Sequence, residues 1–95
     1  MIKNENYIVI HGWMLNNLKL SGNNLNVYAI IYGFTQEDDQ WFRGNRQYLA
    51  DWCGCTKRGI QKNLNYLLER NLIIKKETTS NNTACEYRCN PKYIG

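Results

Sequence analysis

Apolar residues along residues 45–77 recur with two different periods, and the change of period divides the stretch into elements. Tyr48, Leu49 and Trp52 stand at i, i+1 and i+4, one apolar face of a short helix. Ile60, Leu64, Leu67 and Leu68 recur at i, i+4, i+7 and i+8, which predicts a longer second helix. Leu72, Ile73 and Ile74 then run on without a break, as a short buried strand does. The boundaries carry their own signals. Asn45 and Thr56 stand just ahead of the two helices, and each has a side-chain oxygen able to accept from an unpaired backbone N–H. Gly54, inside Cys53-Gly54-Cys55, is free to take the positive φ that closes a helix C-terminus. After Lys75-Lys76, a polar tip over residues 78–83 leads into a returning strand from Cys85 to Cys89.

Upstream, Ser21-Gly22-Asn23-Asn24 punctuates the chain. Leu25, Tyr28, Ala29, Ile31 and Tyr32 then predict a helix buried over much of its circumference, with Gly33 near its end. Residues 40–43, Gln-Trp-Phe-Arg, fit a short first strand between helices. Residues 1–6 are polar enough to fray. The run Tyr7-Ile8-Val9-Ile10 either pairs as a short strand or simply packs. Trp13, Met14, Leu15, Leu18 and Leu20 form a partly helical cover for the core, or a patch for a partner. At 95 residues the chain makes one domain over residues 1–95, of α+β class, with no repeats or linkers.

Charge sharpens this picture. The net charge of +4 is unevenly placed: residues 36–51 sum to −2 and residues 57–77 to +4. The face of the second helix opposite its leucines carries Lys57, Arg58, Gln61, Lys62 and Asn65, side chains that donate to phosphates and base edges. Two helices joined by a Gly-containing turn, the second basic and amide-rich outside, describe a helix-turn-helix, with the following hairpin as a wing. The excess positive charge suits a polyanion.

Read in order, Tyr28-Ala29-Ile30-Ile31-Tyr32-Gly33-Phe34, Tyr48-Leu49-Ala50-Asp51-Trp52 and Lys57-Arg58-Gly59-Ile60-Gln61 resemble a winged helix-turn-helix. They look like the DNA-binding domain of the replication initiators of phages and other mobile elements, sometimes called replisome organisers. The resemblance implies a three-helix core with a C-terminal β-hairpin wing and a short N-terminal extension. It also implies DNA binding without catalysis in a replication setting. Gly59 departs from the family, which usually carries Thr or Ser there. A second domain, which many initiators use for helicase loading, has no room in these residues. The expectation is therefore a free-standing module acting beside a separate polymerase, helicase or primase.

On this reading Thr56, Lys57, Arg58, Gln61, Lys62 and Asn65 enter a major groove, with Arg46 beside them. Gln61 and Asn65 read adenine edges, and Arg58 reads guanine or clamps a phosphate. Lys75, Lys76 and Arg88 on the wing neutralise backbone. Other chemistry is weaker. Cys53 and Cys55 are too close for the usual zinc knuckle, and Cys85 with Cys89 fits one inward strand face beside Tyr87, while Glu86 and Arg88 point out. No metal, cofactor or catalytic residue is expected, and His11 is structural. Residues 37–39, Glu-Asp-Asp, lack calcium-loop spacing and either hold a cation or repel phosphates. The three Trp and seven Tyr are many for so small a core; most are expected to pack inside it, and Trp13, Trp41, Tyr66 and Tyr93, which fit inward positions least cleanly, are the candidates to stack on single-stranded DNA. No apolar run spans a membrane and no signal peptide opens the chain, so a cytoplasmic protein is expected. Two alternatives remain open: a small dimeric transcriptional repressor on duplex DNA, and a protein-interaction module docking through the N-terminal segment.

Overall fold

The computed structural model describes residues 2–36, 40–43, 45–76 and 86–93. They form four helices and a two-stranded antiparallel hairpin, an α+β arrangement. The helices are α1 (Gly12–Asn16), α2 (Gly22–Phe34), α3 (Arg46–Cys53) and α4 (Lys57–Glu69). The strands are β1 (Ile73–Lys76) and β2 (Glu86–Cys89), and a 3-10 turn (Pro91–Tyr93) follows. The hairpin tip over residues 78–83, Cys85 and the acidic residues 37–39 lie outside the described residues.

The core is built around α2. Val27, Tyr28, Ala29, Ile30 and Ile31 are buried in succession, so the helix is covered on every side. It packs against α4, α3, β2 and α1. A helix surrounded in this way has no polar face, which is why Val27 and Ile30 escape a search for one apolar stripe. Ile60, Leu64 and Leu67 face the core from α4, and Leu49 and Ala50 face it from α3. Leu68 packs half-buried at the margin. From the hairpin, Leu72, Ile73, Tyr87 and Cys89 close the underside.

Of the two alternatives for residues 7–10, packing rather than a strand is what forms. Ile8 packs against the core, while Tyr7, Val9 and Ile10 stay exposed. A β-branched run becomes a strand only beside an edge that accepts its hydrogen bonds, and none receives this one. The expected helical cover is borne out as α1, with Met14, Leu18 and Leu20 buried. Trp13 packs there too, edge-on to Tyr28 and Tyr32, and His11 sits 5.3 Å from the Tyr32 ring. Trp13 and His11 are thus part of an aromatic cluster.

The short strand expected over residues 40–43 reduces to one bridge. Phe42 exchanges both backbone hydrogen bonds with Tyr87, at 2.6 and 3.1 Å, and so lies on the β2 edge opposite β1. Glu86 keeps the outward face expected of it, opposite Lys76, yet it is buried there, because its carboxylate is covered by an ion pair with Arg43, Nε to Oε2 3.1 Å.

Candidate nucleic-acid interface

Local hydrogen bonds set the geometry of α3, the turn and α4. The Asn45 Oδ1 accepts from the Tyr48 N–H at 2.9 Å and starts α3. Gly54 ends it in the left-handed region, φ 64°, and donates its N–H to the Ala50 carbonyl. Thr56 Oγ1 accepts from the Gly59 N–H at 3.0 Å and starts α4. Thr56, expected as a DNA contact, thus serves first as a cap. Cys53 and Cys55 sit half-buried in the turn, packed against the core margin.

With Ile60, Leu64 and Leu67 fully buried, the opposite side of α4 is left to solvent. Lys57, Arg58, Lys62 and Asn65 are exposed on it, and Gln61 is half-buried. Arg46 joins them from α3. Its Nη1 donates to Gln61 Oε1 at 3.0 Å, and Gln61 Nε2 donates to Asn65 Oδ1 at 3.0 Å. A guanidinium only donates, so the chain Arg46–Gln61–Asn65 runs in one direction. Gln61 is therefore held by two protein partners, and an adenine can be read by Asn65 more readily than by Gln61. The spacing of residues 15 apart gave no warning of the Arg46–Gln61 bond.

The first turn of α4 is costly as a helix. Lys57 and Arg58 place positive charge at the positive end of the helix dipole, with no acidic residue in that turn. Each such contact is unfavourable by roughly 0.3–1 kcal/mol. Gly59 in the same turn costs about 1 kcal/mol against Ala.

The hairpin presents a second group of cations. Alternation from the inward Phe42 and Tyr87 puts Trp41, Arg43, Arg88, Ile74 and Lys76 on the outer face of the sheet. The Lys76 ammonium lies 5.6 Å from the Trp41 ring centroid and the Arg88 guanidinium 5.5 Å from it. Lys75, paired with Tyr87, is exposed on the other face of the hairpin. Tyr66, a candidate platform, carries the Arg70 guanidinium 5.5 Å from its ring and accepts from Arg70 Nη1 at 3.1 Å. The Tyr93 side chain lies outside the described residues.

Among the described residues, no group of three His, Cys, Asp or Glu side chains is placed to hold a metal ion. None of the described helices is long and apolar enough to cross a membrane. The chain matches no protein-family model, no curated protein and no solved structure, so the interface stands on its own residues.

Proposed function

We propose that the protein is a winged helix-turn-helix DNA-binding protein without catalytic activity, with α4 as its recognition helix. One observation carries this reading. The solvent face and first turn of α4 collect Lys57, Arg58, Lys62 and Asn65 at a cost to helix stability that folding alone does not repay. Arg46 and the Gln61–Asn65 pair extend the face onto α3. The hairpin takes the place of the wing, where Lys75, Lys76 and Arg88 contact phosphates. The resemblance to mobile-element initiators supports a role as an accessory in replication, in the cytoplasm, beside a polymerase, helicase or primase. A second reading, docking of a protein partner through the N-terminal segment, is favoured by Tyr7 at 79 % exposure together with Val9 and Ile10.

Fluorescence anisotropy with matched single- and double-stranded oligonucleotides over a salt series tests the proposal. Three to six phosphate contacts predict a log–log slope of roughly −3 to −5 on duplex. Binding to neither form, or binding without salt dependence, contradicts it.

A further inference from the structure

The outer face of the sheet carries more than a phosphate contact needs. An open cavity of about 520 Å³ lies beside it, lined by Phe34, Trp41, Phe42, Arg43, Asn45 and Tyr48. Four of the six are aromatic. The Phe34 and Phe42 rings stand 5.3 Å apart and the Phe34 and Tyr48 rings 6.0 Å apart, both edge to face. Phe34 nevertheless remains 49 % exposed, at the last position of α2. Such a volume lies in the range of small-molecule pockets, which combine apolar walls with a few polar groups. Asn45 supplies one: its Oδ1 holds the Tyr48 N–H, which leaves the amide NH₂ to bond a ligand edge.

Charge selects the ligand. Lys76 and Arg88 gather at Trp41, while Arg43 and the nearby Glu86 neutralise each other. The rim is cationic and the wall is aromatic. A flat apolar ring attached to a phosphate meets both demands, and a nucleotide in a single strand is such a group. In a duplex the base faces are stacked on one another and unavailable to a protein ring, so duplex DNA cannot use this wall.

We infer that this cavity is a second nucleic-acid site, separate from α4, which holds an unpaired base against Trp41 and Phe34 while Lys76 and Arg88 neutralise the adjoining phosphates. The inference rests on the reading of the chain as a DNA-binding protein and adds where a single strand lies. The two sites together let the protein hold a junction, with duplex on α4 and the open strand on the sheet.

Trp41→Leu tests the site, because leucine preserves apolar cover and removes the stacking face. Anisotropy is measured with the full chain on fluorescein-labelled oligothymidine and on a matched duplex, with thermal melting to establish folding. Loss of about tenfold in oligothymidine affinity, with duplex affinity changed less than about twofold, is the expected result. Oligothymidine should also quench the tryptophan fluorescence of the wild type, and Trp41→Leu should remove most of that quenching. Phe34→Leu, a second variant among the lining residues, should weaken oligothymidine binding in the same selective way. Equal loss on both nucleic acids, or unchanged oligothymidine binding in both variants, overturns the inference. Wild-type binding to duplex alone also overturns it while leaving the α4 reading intact, whereas binding to neither sinks both.

Discussion

Cys89 ends β2 with 2 % of its surface exposed, and burial pushes its thiol up to about 12. The nearby Tyr28 and Thr35 hydroxyls and the positive charge of Arg88 offset only part of that rise. Burial likewise pushes Cys53 up to about 11, aided by the neighbouring Cys55. A thiol in the unfolded chain ionises near 9. Above that pH the unfolded state has given up a proton that the folded state keeps, so rising pH favours unfolding. The stabilisation is complete below about pH 9 and is lost as pH climbs towards the folded values. Urea midpoints should therefore hold level from about pH 7 to 8.5 and fall by pH 10.5, and Cys89→Ala should flatten the fall. A wild-type midpoint that is level to pH 10.5 would contradict the assignment. At this scale the local signals were legible. Asn45, Gly54 and Thr56 act within four residues of themselves, so their roles appear in the linear order. Glu86 did not, since its burial depends on Arg43, 43 positions earlier in the chain.

At the scale of elements, α4 is the helix whose stability is most plainly compromised. A methyl group added at Gly59 would meet Thr56 Oγ1 at 3.5 Å and Cys55 Sγ at 3.6 Å, ordinary contact distances. Gly59→Ala should thus stabilise the protein by roughly 0.5–1 kcal/mol, through helix propensity and a less free unfolded chain. In a domain of this size that raises the melting temperature by about 2–8 °C. A lower melting temperature would mean that the turn has less room than these distances show. The amphipathic helices α3 and α4 were legible because one face is buried and the other wet. The all-round burial of α2 removed that contrast, and Val27 and Ile30 went unmarked. Residues 7–10 left strand and packing both open for the converse reason: side-chain preference for extended structure says nothing about whether a pairing edge is present.

For the whole molecule, the α+β order of helices and hairpin followed from periodicity, but the meeting of distant residues did not. The Arg46–Gln61–Asn65 chain and the gathering of Lys76 and Arg88 on Trp41 are products of packing between elements. They divide the proposed DNA contacts into two surfaces. On α4, exposed cations surround amides of fixed direction. On the sheet, cations rest on an aromatic ring. The α4 surface carries the proposed function, and it makes a quantitative demand on Lys57 and Lys62, which sit on it with exposed side chains. The most direct test compares the salt dependence of duplex binding for the wild type and for Lys57→Ala/Lys62→Ala. Each lost phosphate contact should reduce the log–log slope by about one, so the double variant should bind more weakly with a slope shallower by about two. A double variant that keeps the wild-type slope and affinity would show that DNA, if bound at all, lies elsewhere than on α4.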